Sequence, residues 1–271
     1  MKVFFNPKQY KKLYSIPSEK VTNLIEIWSQ NPQIQIVPEY ELLPKEELYK
    51  IHSVKYVNGI YDGTVKNGFN TYDPEMAIVE QYQVSSFLEA AKVALNEGIA
   101  CSPVAGFHHA TYDFSGKFCI FNGLMMTAVK LKELGLAKKI GILDLDFHYG
   151  DGTDDIINKL GIKYVSHWGY AKNWVPTAAM FFVELRKGLK SLEDCDIILY
   201  QAGMDMYQLD PKGGLLTPEE LHRRDKMVFD WAKQMKIPLV WNLAGGYTEV
   251  NFLTSLHNGT MDDCLDVYFK K

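Results

Sequence analysis

The chain has 271 residues, of which 47% are hydrophobic and 23% charged, with a net charge of −4. This length can bury a substantial core, and the lack of a basic excess argues against nucleic acid as a direct partner. No stretch has the apolar length of a membrane span, and the N-terminus lacks the apolar core of a signal peptide. Four scattered cysteines without a Cys-x-x-Cys pair predict reduced thiols and a cytoplasmic location, with no disulfides and no cysteine zinc site.

The first half of the chain alternates short apolar runs with amphipathic segments. These patterns predict strands over residues 3–5, 34–37 and 99–104. Amphipathic spacing predicts helices over residues 17–28, 45–56 and 74–97. Pro74 opens the last of these helices and Gly98 ends it. The glycine-rich segment 58–73 is typical of a long loop.

The second half continues in the same way. Helical spacing predicts helices over residues 122–135, 156–160, 178–189, 218–235 and 251–257. Buried strands are predicted around residues 140–145, 163–166, 196–201 and 238–243. Each of these strands feeds a loop that contains polar residues.

This alternation predicts an α/β fold with three layers, α/β/α, around a mostly parallel central sheet. No repeat, low-complexity segment or linker divides the chain, so we expect a single domain over residues 1–271. Ligands gather at the carboxyl ends of the strands in such sheets. The residues with reactive or metal-ligating side chains follow predicted strands: His108 and His109, 144–151, Asp205 and Tyr247. One active site is therefore expected at this edge of the sheet.

The stretch from Gly141 to Thr153 carries a candidate metal site. Asp144, Asp146 and His148 are spaced two residues apart after a buried strand, so they share one face while the chain stays extended. Asp205, at another strand end, offers a further carboxylate. Two carboxylates and one imidazole suit a catalytic metal, because structural zinc sites close all four positions with Cys and His. The oxygen-rich set also tolerates Fe²⁺ or Mn²⁺.

Several short motifs run in order through residues 50–250 or so, and one of them alone would carry little weight. They are Gly106-Phe107-His108-His109-Ala110, Phe118-Cys119-Ile120-Phe121-Asn122, Asp144-Leu145-Asp146-Phe147-His148-Tyr149-Gly150-Asp151-Gly152, Gln201-Ala202-Gly203-Met204-Asp205, Asp210-Pro211 with Gly214-Leu215-Leu216-Thr217, and Gly245-Gly246-Tyr247. In this order they are similar to the zinc-dependent histone deacetylases and their bacterial relatives, the acetylpolyamine amidohydrolases and acetoin-utilisation-type proteins. The resemblance implies the arginase/deacetylase fold and hydrolysis of an acylated amine.

The resemblance also implies a role for each ligand and histidine. Asp146, His148 and Asp205 would hold Zn²⁺, which lowers the pKa of its bound water from ~15.7 towards ~7. His109 would take the water proton and later protonate the leaving amine. Asp151 would orient His109, and His108, paired with Asp144, would complete the catalytic dyad.

Three further expectations follow from the resemblance. Tyr247 would donate its hydroxyl to the oxyanion, on a loop that Gly245 and Gly246 allow to approach closely. Phe118 would line one wall of the acyl-chain tunnel. A monovalent cation such as K⁺ would lie near Asp144 and Ser166, with backbone oxygens of Asp146 and His148.

Three positions depart from the family pattern. Lys117 stands where the family has glycine, so it could narrow the tunnel or meet an anionic substrate group, or else turn to solvent. The segment 167–176 replaces the loop that the family usually has opposite Phe118. The second wall of the tunnel could therefore be formed by Trp168, Tyr170 or Trp174, or these aromatic residues could simply be packing residues. Lys20 stands in place of an arginine to which the family pattern would give a role in acetate exit.

Three functions are compatible with some or all of these residues. The first is metal-dependent deacylation of acetyl-lysine or of a small acylated amine such as an acetylpolyamine. Asp144-x-Asp146 also resembles Mg²⁺-dependent aspartate-nucleophile phosphatases, but that alternative leaves His148 and Tyr247 without roles. The third possibility is a deacetylase-like module that binds without catalysis, which the complete set of candidate residues disfavours.

Overall fold

A seven-stranded sheet forms the centre of the computed structural model, which describes residues 1–11 and 16–270; the side chains of residues 16–18 are outside the described part. The sheet order is β2-β1-β3-β7-β6-β4-β5, and all six of its strand pairs are parallel. The strands are β1 (Lys2–Phe4), β2 (Gln35–Val37), β3 (Ile99–Cys101), β4 (Ile140–Asp144), β5 (Val165–Gly169), β6 (Ile197–Gln201) and β7 (Leu239–Asn242).

Helices cover both faces of this sheet. They are α1 (Ile16–Trp28), α2 (Val54–Tyr61), α3 (Glu75–Glu97), α4 (Gly123–Glu133), α5 (Asp151–Lys159), α6 (Ala178–Ser191), α7 (Pro218–Met235) and α8 (Val250–Phe269), with 3₁₀ turns at Pro7–Gln9, Lys45–Lys50 and Tyr170–Asn173. One core packs α1, α6, α7 and α8 on the sheet, and the other packs α2 to α5. The predicted three-layer α/β/α fold with a parallel sheet is confirmed.

Several element boundaries differ from the predictions. The predicted helix over residues 45–56 is a 3₁₀ turn followed by α2, because the Ser53 side chain caps a new helix at Val54. The last helix extends to Phe269 because Met261, Cys264 and Leu265 continue its buried face. Helix α5 begins at Asp151, five residues before the predicted start, since its first turn is polar and hides the apolar periodicity.

The sheet order brings together the loops that carry the candidate ligands and catalytic residues. Strands β3, β7, β6 and β4 are consecutive neighbours, and each leads into one of these loops. Because all of them run parallel, their carboxyl ends lie at one edge of the sheet. All four cysteines are buried and unpaired. None of the described helices combines the length and apolar character needed to cross a bilayer.

Candidate active site

Asp146, His148 and Asp205 form the centre of the candidate site. Their potential ligand atoms all lie within 4.8 Å of one another. His148 Nδ1 lies 2.8 Å from Asp205 Oδ2 and 3.1 Å from Asp146 Oδ1. The three side chains come from the loops after β4 and β6, and both carboxylates are buried. This is the trio that the sequence predicted as metal ligands.

The electrostatics of this trio favour a cation. Burial and the charge of Asp146 raise the pKa of Asp205 to about 8. Hydrogen bonds to Asp146 and Asp205 raise the pKa of His148 to about 10, so the imidazole itself supplies a positive charge between the two carboxylates. A divalent ion would supply that charge instead and release the proton of His148.

The two adjacent histidines after β3 are each held by a different aspartate. His108 Nδ1 lies 2.7 Å from Asp144 Oδ2, and His109 Nδ1 lies 2.6 Å from Asp151 Oδ1. Burial alone would lower the pKa of His108, but Asp144 and Asp146 raise it to about 9. Burial and the neighbouring His108 lower the pKa of His109. At neutral pH the arrangement therefore favours a charged His108 beside a neutral His109.

Tyr247 lies beside this group, and the space between Tyr247, His148 and Phe118 is the candidate cleft. Its ring centroid lies 6.0 Å from that of His148 and 6.1 Å from that of Phe118. Burial and the carboxylates of Asp146 and Asp205 raise the pKa of Tyr247, so its hydroxyl keeps its proton. A neutral phenol in this position can donate a hydrogen bond to a bound oxygen.

Glycine is required where the loop of Tyr247 passes the metal-binding trio. A Cβ on Gly245 would lie 2.6 Å from Asp146 Oδ2 and 2.8 Å from Asp205 Oδ2. The Gly245 N–H instead donates to Asp146 Oδ2 at 2.8 Å, and Gly246 has a φ of +146°. The backbone thus lies against the carboxylates and presents Tyr247 to the cleft.

The family model of the histone deacetylase domain matches residues 5–191 and 178–260. The chain belongs to the histone deacetylase family. Membership supports a hydrolase of the deacetylase type.

Individual relatives agree with this assignment. Histone deacetylase 2 of Arabidopsis thaliana is 27% identical over 238 residues, which cover 75% of this chain and 61% of that protein. An acetylpolyamine amidohydrolase of Mycoplana ramosa is 48% identical over 54 residues, or 20% of this chain and 16% of that protein. The fold alone is shared with the solved HD domain of HDA15, which superposes with a TM-score of 0.80 and 15% identity and covers 99% of this chain and 96% of that one.

The prediction that Ser166 shares a monovalent cation with Asp144 finds no support in the position of the Ser166 side chain. Ser166 pairs in register with Gly141, whereas His167 pairs with Ile142 and so faces the same side of the sheet as Asp144. The Ser166 side chain contacts Cys195 on the other face. The position beside Asp144 is filled by His167, whose Nε2 lies 3.7 Å from Asp144 Oδ2. The residues present do not fit a cation there.

The cleft wall combines predicted and unpredicted residues. Phe118 packs against Tyr247, and Lys117 turns outward, with its side chain 58% exposed and its Nζ 3.3 Å from Asp151. Trp168 is partly buried and packs on Gly188, and Tyr170 is buried against Phe147 and Phe181, so both pack against the core. Trp174 is 60% exposed.

Lys212 was not predicted to lie at the cleft. Its ammonium is 4.8 Å from the Phe118 ring and 4.4 Å from the Tyr247 ring. It follows Asp210-Pro211, and Asp210 accepts the backbone N–H groups of Tyr247 and Lys212. The Asp-Pro pair could have signalled a turn, but only the folded loop brings this lysine to Tyr247.

Lys20 lies beneath the site. It is completely buried, and its Nζ donates to the carbonyl oxygens of Ala244 at 2.6 Å and Gly245 at 3.3 Å. Burial lowers its pKa to about 7. Lys20 therefore supports the loop that carries Gly245, a contact for which the sequence offers no signal.

Proposed function

We propose that this protein is a metal-dependent deacylase that removes an acyl group, acetyl in the simplest case, from an acylated amine. The observation that carries the proposal is the convergence of the Asp146–His148–Asp205 trio, the His108–His109 pair and Tyr247 in one cleft. Amide hydrolysis needs an electrophile for the carbonyl, a base for water and a donor for the oxyanion, and the cleft has candidates for each.

Asp146, His148 and Asp205 are the proposed metal ligands. The raised pKa of Asp205 supports this, because a bound cation would remove the repulsion that raises it. Three protein ligands of this type suit Zn²⁺ with open positions for water and substrate, and Fe²⁺ is a chemically similar alternative. When bound, such an ion polarises the substrate carbonyl and makes water more acidic.

His109 is the proposed general base and acid. Its lowered pKa keeps the ring neutral near pH 7, and Asp151 fixes its Nδ1 proton so that Nε2 can accept one. The ring would take a proton from the attacking water and give it to the amine as the C–N bond breaks. His108, charged and bonded to Asp144, would stabilise the negative charge that develops in the cleft.

Tyr247 is the proposed donor to the carbonyl oxygen. Burial and the nearby carboxylates of Asp146 and Asp205 keep its phenol protonated, and its ring lies beside His148. One such donor contributes about 3 kcal/mol to lowering the barrier.

The charge at the cleft mouth supports acyl-lysine in an acidic setting over acetylpolyamines. Lys212 lies over Phe118 and Tyr247, and Lys117, the residue before Phe118, pairs with Asp151 at 3.3 Å, which partly neutralises its charge. In this proposal the amine portion of a substrate would leave the cleft beside Phe118 and Tyr247, and so close to the Lys212 ammonium. An acetylpolyamine brings additional positive charge to that point, whereas carboxylates beside an acyl-lysine would be attracted.

Reversing the charge of Lys212 should reverse this preference. The wild-type protein is expected to hydrolyse an acetyl-lysine peptide with Asp and Glu neighbours faster than its Lys-flanked counterpart and faster than N-acetylputrescine. Lys212→Glu should shift the ratio of kcat/KM for the acidic peptide to kcat/KM for the Lys-flanked peptide by about fivefold or more, towards the Lys-flanked peptide. The same shift is expected towards N-acetylputrescine. Lys163→Glu, an exposed lysine just before β5 at the opposite end of the strands, is the matched control. Equal ratios in wild type and Lys212→Glu would remove the mouth lysines from substrate selection.

Hydrolysis of a neutral fluorogenic acetyl-lysine peptide by the zinc-loaded protein tests the function itself. We expect turnover that disappears on chelation and returns when Zn²⁺ or Fe²⁺ is added. Zinc bound in stoichiometric amount without turnover of any acylamine would favour the binding module. Phosphate release from a phosphomonoester with Mg²⁺ would favour the phosphatase.

A further inference from the structure

His167 is buried between two carboxylates next to the catalytic cleft. Its side chain is only 2% exposed, and its Nδ1 lies 2.8 Å from Asp154 Oδ1. The other ring nitrogen, Nε2, points to Asp144 Oδ2 at 3.7 Å and has no hydrogen-bond partner among the described residues. Asp154 also accepts hydrogen bonds from the Tyr149 hydroxyl and pairs with the Lys172 ammonium.

Asp144 itself has little room for another ligand. One oxygen lies 2.7 Å from His108 Nδ1, and the other accepts the Asp146 N–H and the Gln201 side chain, both at 3.2 Å. A Cβ on Gly150 would come within 2.7 Å of Asp144 Oδ2 and 3.1 Å of His167 Cε1. The side of the carboxylate that faces β5 is thus closed by the imidazole.

We infer that the His167 side chain takes the place of a monovalent cation beside Asp144, so that this active site works without bound K⁺ or Na⁺. The ring connects Asp154 to Asp144, and Asp144 holds His108. His167 is therefore a positioning residue, which acts on the reacting groups through Asp144 and not by touching substrate.

The charges around His167 agree with this role. Burial alone would lower the pKa of His167, but the negative charges of Asp144 and Asp154 and the hydrogen bond to Asp154 raise it above the usual value. A positive ring beside Asp144 gives that carboxylate the neutralisation that an alkali cation would otherwise supply. Unlike a cation in solution, a side chain cannot dissociate when the salt changes.

Direct binding measurements test the inference without any need for turnover. Zinc-loaded protein is dialysed against KCl and then against tetramethylammonium chloride, its potassium content is measured, and Tl⁺ binding is followed by ²⁰⁵Tl NMR. We expect no retained potassium and no saturable Tl⁺ site. Stoichiometric K⁺ or Tl⁺ that is displaced by K⁺ would overturn the inference even if the protein proved to be no deacylase.

Activity supplies the second readout and rests on the proposed deacylation. In KCl, NaCl and tetramethylammonium chloride of equal ionic strength, kcat/KM is expected to be the same, and activation by K⁺ would contradict the inference. His167→Ala should lower kcat by about tenfold or more, with zinc content and KM retained. His167→Gln keeps a donor to Asp154, so it should fold like the wild type and still lose kcat.

A histidine–aspartate pair outside this cluster is the control for these variants. His222 on α7 lies 2.9 Å from Asp263, and its side chain is 50% exposed. His222→Ala is expected to leave kcat unchanged. An unchanged kcat in a folded His167→Gln variant would show that the ring is only a packing element.

Discussion

Replacing His109 with alanine is expected to lower kcat by about a hundredfold or more while the protein keeps its divalent metal. The ring is a base candidate and not a ligand, because its Nδ1 is engaged by Asp151 at 2.6 Å and its centroid lies 6.1 Å from that of His148. Steady-state kinetics on an acetyl-lysine peptide and the zinc content of the same preparation measure the two parts of the prediction.

The pH profile provides a check on the same residue. Burial and His108 lower the pKa of His109 below the usual value of 6.5, so its base form persists into mildly acidic solution. The kcat/KM of the wild type should therefore fall only as the pH drops below ~6.5. The residual activity of His109→Ala should not show this decrease at acidic pH. Loss of zinc together with turnover would mean that His109 had been assigned the wrong role.

Asp205→Asn is expected to abolish both metal binding and turnover. Asp205 is the proposed ligand from β6, and a neutral amide in its place removes one of two carboxylates from the trio. The loss of metal affinity should exceed the roughly 10- to 100-fold that removal of an outer hydrogen-bond partner costs. Zinc titration with a competing chelator measures it.

Thermal unfolding separates this effect from misfolding. Ionised Asp205 is disfavoured in the metal-free protein, since burial and Asp146 raise its pKa to about 8. A carboxyl whose folded pKa is raised destabilises the protein above its unfolded pKa, so at pH 7 the metal-free Asn variant should melt no lower than the metal-free wild type. Added zinc should then raise the Tm of the wild type alone.

Asp210→Asn is the matched control. Asp210 is another buried aspartate, and it accepts the backbone N–H groups of Tyr247 and Thr248 without belonging to the metal-binding trio. Its variant should keep the zinc affinity of the wild type. Zinc affinity that is unchanged in Asp205→Asn would remove Asp205 from the set of ligands.

The sequence was sufficient to predict the layered fold and the reactive residues of the cleft, but not Lys212. Strands such as β4 are buried throughout, so their apolar runs are visible without any neighbour. The spacing of Asp146 and His148 in one loop suggested ligands before the fold was known. Asp205, His109 and Tyr247 are distant in sequence, but each follows a parallel strand, and such strand ends converge.

Only the tertiary structure decided what surrounds these residues. Ser166 and His167 are adjacent in the chain, and the register of β5 on β4 determines which of them faces Asp144. A shift of one residue exchanges the two faces of a strand, and no local pattern reports that register when both side chains are polar. Lys212 reaches Tyr247 through a loop conformation in the same way. The pattern of apolar and polar residues along the chain thus determined the fold and the reactive groups. Strand register and loop packing determined which charged side chains lie beside those groups.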